Sequence, residues 1–163
     1  MKKIAIIFLF AGLSGCYSKQ PEKTGLEGKP LPSFNLFLAD SATYFNTGSI
    51  PAGKPVVLLF FGPHCPYSRA QMEEIIEGMT ILRDIRFYIF TTDQFEEMKS
   101  FYNEYRLYRY PNVTVGIDYT NFFGDYFKAK GVPYMAIYGK GKKLKEVFMG
   151  KVYGKQIKEA AEE

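Results

Sequence analysis

The sequence predicts an α/β protein: a mixed central β-sheet flanked by helices, with an N-terminal β-hairpin extension. Three observations carry this. Two runs, VVLLFF at 56–61 and IRFYIFTT at 85–92, are strongly apolar, as expected of strands covered on both faces. Each run is followed by a segment with helical spacing of its apolar residues. The chain then closes on YMAIYGKGKKLKEVFMG (134–150), two strands about a Gly-Lys-Gly turn, and a helix. Strands alternating with helices imply parallel crossovers early, and the late hairpin makes the sheet mixed.

Taken in order, residues 17–33 are polar with three prolines and two glycines and read as a tether and loop. FNLFLAD (34–40) and TYF (43–45) read as short strands joined by a turn. Gly-Lys-Pro at 53–55 leads into the apolar strand 56–61. After Cys65, Met72, Ile75, Ile76, Met79 and Leu82 recur at three and four residues, which predicts a helix over 66–82. Asp93 is expected to cap a helix over 94–106. NVTVGID (112–118) is the next strand, and TNFFGDYFKAK (120–130) a short helix with Gly131 at its end. GKQIKEAAEE closes the chain as a helix. There is no repeat and no second domain, so one domain is expected over 34–163.

Composition narrows the function classes. Of 163 residues, 47% are hydrophobic and 23% charged, the balance of a globular protein with enough apolar side chain to build a core. The net charge of +4 comes largely from the lysines of 139–158, read as a solvated hairpin and helix face. No basic cluster is interleaved with aromatics as a base-stacking groove requires, so nucleic acid is not an expected partner. FYNEYRLYRYP (101–111) reads as a helix end packing aromatics on the sheet. Asp118 and Asp125 have no His or Cys at ligand spacing, and no glycine-rich phosphate loop is present. No metal and no cofactor are expected.

The N-terminus reads as a targeting segment. Lys2 and Lys3 precede the apolar IAIIFLFAGL, which is shorter than the roughly 20 residues that span a bilayer. Leu13-Ser14-Gly15-Cys16 follows, and this resembles the lipobox of bacterial lipoproteins. The resemblance implies cleavage after residue 15, Cys16 as the lipid-carrying first residue of a tether over 16–33, and a blocked thioether at its sulfur. Tyr17 after the cysteine, rather than Asp, is the pattern that favours the outer membrane. A bacterial cell-envelope location, facing the periplasm, is the expectation.

With Cys16 lipidated, Cys65 is the odd cysteine in a compartment where disulfides persist. It lies in FFGPHCPYSRAQ (60–71), where a hydrophobic run ends, turns through Gly-Pro and opens a helix. The thiolate is the reacting form of cysteine. Free N–H groups and the positive dipole end at a helix start stabilise an anion there. Pro66 suits the first turn because it needs no N–H partner. The amides of Tyr67 and Ser68, and the Ser68 hydroxyl, are candidates to point at the sulfur. His64, the single histidine, is a candidate either to add positive charge or to face solvent. Ser68 stands where a Cys-x-x-Cys motif has its second sulfur.

The order of segments resembles the thioredoxin fold, and within it the membrane-anchored thiol-disulfide proteins related to bacterial cytochrome-maturation thioredoxins and peroxiredoxins. The resemblance covers residues 28–160 and rests on three segments: GKPLPSFNLFLAD, GKPVVLLFFGPHCPYSRAQMEEI and KGVPYMAIYGKGKKLKEVFMG. It implies a cis Val132–Pro133 bond facing Cys65, with the Val132 backbone free to pair with a substrate strand. Cys65, Ser68 and Pro133 are then the expected reactive centre, and His64, Pro66, Tyr67 and Val132 the expected substrate-binding residues. Two departures matter. Peroxiredoxins resemble P-x-x-x-[TS]-x-x-C, but this chain has Leu58 at the proline and Gly62 at the hydroxyl position, so a peroxide pocket is not expected. Many thioredoxins bury an acid in the strand before the active site, and here Val56 stands there.

Three functions stay open at this point. In the first, Cys65 alone exchanges with disulfides or sulfenic acids of envelope proteins and an external thiol reductant completes the cycle. In the second, the fold is a non-catalytic binding module that docks an extended chain beside Pro133. In the third, Cys65 has no redox role.

Overall fold

The computed structural model describes residues 18–162. The signal segment, Cys16 and its expected lipidation lie outside the described residues. The elements in chain order are β1 (Asn35–Leu38), β2 (Tyr44–Asn46), β3 (Val56–Phe60), α1 (Pro66–Glu77), α2 (Met79–Leu82), β4 (Arg86–Thr91), α3 (Phe95–Glu104), β5 (Val113–Ile117), α4 (Phe122–Phe127), β6 (Tyr134–Tyr138), β7 (Leu144–Met149) and α5 (Gly154–Glu162). They form one mixed sheet in the order β2-β1-β5-β4-β3-β6-β7. The strands β3, β4 and β5 run parallel, and β1, β2, β6 and β7 add antiparallel pairings at the two sides.

The sheet is covered on both faces because β3 is apolar at every position. Successive side chains of a strand point to opposite faces. Val57 and Leu59 enter one core, with Met72 and Ile75 of α1, Met98 and Phe101 of α3 and Ile157 of α5. Val56 and Leu58 enter the other, with Phe123 and Phe127 of α4 and Phe34, Leu36 and Ile50 of the N-terminal part. The register Leu58↔Tyr88 and Leu58↔Ala136 places β3 at the centre.

Several local expectations are corrected. The helix over 66–82 is two helices, interrupted at Gly78. A Cβ there would stand 3.1 Å from the Glu74 carbonyl, a tight approach, and in ordinary contact, 3.7 Å, with the Gly154 Cα where this corner meets the start of α5. The helix after β4 ends at Glu104, and Arg106 adopts a left-handed conformation, φ 50°. Asp93 does not cap that helix; Gln94 occupies the N-cap position, and the Asp93 carboxylate accepts the Thr91 hydroxyl instead, at 3.0 Å. The helix over 120–130 stops at Phe127, and Lys128 rather than Gly131 takes the left-handed position, φ 51°.

The largest difference concerns 18–33. A loose tether is expected from its composition, yet it lies bonded along β7. Glu22 N donates to Val147 O at 2.7 Å, Gly28 N to Leu144 O at 2.9 Å, and Leu31 N to Lys142 O at 2.9 Å. Farther back, Lys19 N donates to Gln156 Oε1 at 2.9 Å. The physical reason is that β7 is an edge strand, whose free N–H and C=O groups need partners.

The segment after β7 braces the fold. Gly150 N donates to Pro133 O at 2.7 Å. The buried Gln71 of α1 accepts from Val152 N at 2.6 Å and donates to Val152 O at 3.1 Å. Glu74 accepts from Gly154 N at 3.0 Å and pairs with Lys151 Nζ at 3.0 Å. Burial pushes the Glu74 carboxyl up, but the Gly154 amide and the Lys151 ammonium outweigh it and leave it below its ordinary value. A carboxylate whose pKa is lowered on folding adds stability that is fully present above that ordinary value, 4.5, and is lost as pH falls through the lower folded value. Glu74→Gln is therefore expected to cost about 1–3 kcal/mol at neutral pH. Urea denaturation at neutral and acid pH should show the gap to the parent protein narrowing as the solution is acidified.

Candidate functional site

Cys65 stands at the carboxyl ends of the parallel strands, where open α/β sheets place their sites. Phe61, just past β3, is still held to the sheet by its N–H on Phe90 O at 3.0 Å. Gly62 and Pro63 turn the chain, and Cys65 N donates back to Gly62 O at 3.0 Å. Cys65 is the N-cap of α1 and Pro66 is its first residue, the position where a missing N–H costs nothing. Arg69 N donates to the Cys65 carbonyl at 3.0 Å and begins the helical ladder.

The Val132–Pro133 peptide is cis. Cys65 Sγ donates to the Val132 carbonyl oxygen at 3.4 Å, so the sulfur and the proline loop meet directly. Cys65 is half-buried and unpaired, Pro133 is buried and Val132 is half-buried. Gly62 makes this approach possible. A Cβ on it would lie 3.1 Å from Val132 Cγ2 and 3.4 Å from Cys65 Cβ.

The remaining expected residues divide. Tyr67 is exposed, with 68% of its surface free, and Pro66 is exposed beside it. Ser68 is buried, and its Oγ accepts the Gly62 N–H at 3.2 Å. That bond ties the first turn of α1 to the loop that carries Cys65. No side chain caps the amides of the first turn, so the Cys65 sulfur accepts no bond from Tyr67 or Ser68 in this thiol arrangement. His64 faces α3: its Nε2 lies 3.2 Å from Glu97 Oε1.

Two neighbours escaped sequence reasoning. Asp93 Oδ2 lies 4.0 Å from where a Gly62 Cβ would stand, and its Thr91 partner is buried at the end of β4. Their backbone separation from Cys65 gives no motif, and only the parallel pairing of β3 with β4 brings them together. On the other flank, a cleft of about 390 Å³ lies between the Cys65 loop and α3, lined by Pro63, His64, Arg69, Glu97 and Glu104 among others. Arg69 pairs with Glu104, whose hydrogen bond raises the guanidinium above its ordinary pKa and keeps it charged. Asp118 is buried and serves structure, accepting from Thr120 Oγ1 at 2.8 Å and Phe123 N at 2.9 Å.

The N-cap and the third residue of a helix share one side of its first turn. Ser68→Cys is therefore expected to form a disulfide with Cys65 under mild oxidation. Mass spectrometry should find the loss of two hydrogens, reversed by a thiol reductant. Absence of that species would mean the turn holds the two side chains apart.

No family model and no curated protein matches this sequence. Solved structures do match. The DsbF structure of Mycobacterium tuberculosis, in mixed oxidised and reduced forms, superposes with TM-score 0.65 at 21% identity, over 78% of this chain and 91% of that one. A secreted disulfide oxidoreductase of Mycobacterium tuberculosis, homologous to E. coli DsbE, gives 0.64 at 20% identity over 78% and 92%. The thioredoxin domain of a thiol-disulfide oxidoreductase from Bacteroides vulgatus gives 0.65 at 14% identity over 82% and 93%. The architecture described above is a thioredoxin-like fold.

Proposed function

We propose that the protein is a membrane-anchored thiol-disulfide exchange protein of the bacterial cell envelope that works with one thiol, Cys65. One observation carries this: a half-exposed sulfur at a helix start, 3.4 Å from the carbonyl that precedes the cis proline. The structural likeness to disulfide oxidoreductases supports the same chemistry. The Leu13–Cys16 lipobox supports the anchor, and Tyr17 the outer membrane facing the periplasm.

The chemistry balances with one sulfur. The Cys65 thiol gives up its bond to the Val132 carbonyl and loses its proton to water, from which the partner's departing thiolate takes one up. The thiolate attacks one sulfur of a partner disulfide, forming a Cys65–partner disulfide and releasing the partner's other sulfur as thiolate. An external thiol then attacks the mixed disulfide, returns Cys65 to the reduced form and carries the oxidised sulfur away in a disulfide of its own. With a partner sulfenic acid, condensation with Cys65 releases water and leads to the same mixed disulfide. An extended partner segment lying beside Val132 takes over the carbonyl that the thiol leaves, and Tyr67 and Pro66 flank it. Ser68 cannot resolve the mixed disulfide, so its release depends on the external thiol.

A second reading, a binding module in which the sulfur is incidental, is favoured by one observation: Ser68 is buried and committed to the Gly62 amide. Trapping in cells separates the two. Alkylation of acid-quenched cells followed by non-reducing electrophoresis should show mixed disulfides in the parent protein and none in Cys65→Ser. Recovery of the same partners with Cys65→Ala, and no mixed disulfides in the parent, would establish the binding module instead.

A further inference from the structure

We infer that the face carrying the N-terminal strap is a seat for the anionic phospholipid headgroups of the membrane, and that it holds the Cys65 end of the fold against the bilayer. The inference rests on the proposed lipidation of Cys16 for its anchor, but the seat itself stands on separate observations.

The first is where the described chain begins. Ser18 and Lys19 line a cavity of about 430 Å³ together with Gln20, Lys151 and Tyr153. Lys19 is fixed there, its N–H on Gln156 Oε1 at 2.9 Å and its carbonyl accepting from Gln156 Nε2. Two residues of extended chain span at most about 7 Å. A lipid carried by Cys16 would be tethered no farther than that from Ser18, and the backbone bonds of Lys19, Glu22, Gly28 and Leu31 leave no long leash in 18–33.

The second is charge. The strap passes from that cavity to another of about 210 Å³, where Lys23, Lys128 and Lys130 gather with Glu22 as the acidic lining residue. The Lys151 ammonium is shared with Glu74 and sits 5.0 Å from the Tyr153 ring centre. Tyr153 is 52% exposed, and tyrosine is an amphipathic ring of the kind enriched at membrane interfaces. Lysines are attracted to an anionic bilayer over about a Debye length, ~8 Å at physiological salt.

The third is what the face adjoins. A Cβ on Gly150 would stand 2.7 Å from Lys19 Nζ, and Gly150 N holds the Pro133 carbonyl at 2.7 Å. Lys130 is two residues before Val132 in sequence. The seat therefore borders the Val132–Pro133 link that meets the sulfur. Partners that reach Cys65 are those presenting a cysteine close to the bilayer surface.

The test uses the full chain purified from membranes and vesicles of phosphatidylcholine with and without phosphatidylglycerol. Mass spectrometry of the purified protein first reads whether Cys16 carries acyl chains, which decides the anchor independently. Hydrogen exchange is then compared between the two vesicle types. Slower exchange in 18–24, 128–130 and 149–153 is expected with phosphatidylglycerol only, lost at high salt and lost in the combined Lys19→Glu, Lys23→Glu, Lys130→Glu variant. If that variant fails to fold, the salt dependence of the parent protein decides. Equal exchange on the two vesicle types, with or without acyl chains on Cys16, overturns the seat.

Discussion

The reactive geometry depends on one short brace, residues 150–154. Gly150 holds the Pro133 carbonyl, Val152 is gripped in both directions by Gln71, and Gly154 is held by Glu74. Cys65 caps the helix that carries Gln71 and Glu74, and Val132 precedes the proline that Gly150 holds. The two halves of the site come from segments 67 residues apart, yet both are tied to the same five residues. Backbone hydrogen bonds within strands could not do this, because Cys65 and Val132 lie beyond the strand ends.

The brace explains how a single sulfur can sit open to solvent and still be held. Gly62 removes the side chain that would separate Cys65 from Val132, and the Ser68 hydroxyl occupies the Gly62 amide. The Ser68 hydroxyl thus ties the first turn of α1 to the loop that carries Cys65. Around this centre the surface is uneven. The α3 side carries Glu96, Glu97 and Glu104, while the strap side carries lysines.

Much of the sheet is legible from the sequence because local apolar patterning reports burial directly. VVLLFF reads as a doubly covered strand, and Val56 to Leu59 are fully buried. Cys65 at a helix start is equally readable, since Pro66 and the spacing of Met72 and Ile75 mark that helix. What was hidden has two causes. The docking of 18–30 on the free edge of β7 and the meeting of Gly78 with Gly154 involve partners distant along the chain, of which composition carries no trace. The diversion of Asp93 to the Thr91 hydroxyl and of Ser68 to the Gly62 amide are local, but which of several nearby polar groups a side chain takes is set by the exact path of the turn and not by residue type.

The central claim is that the Cys65 sulfur is held accessible for disulfide exchange in the folded protein. Reaction with a small chromogenic aromatic disulfide, without denaturant, tests it most directly. The account predicts that the native protein releases one equivalent of aromatic thiolate more than its Cys65→Ser variant. No difference between the two until denaturant is added would mean the sulfur is closed off, and would contradict the account.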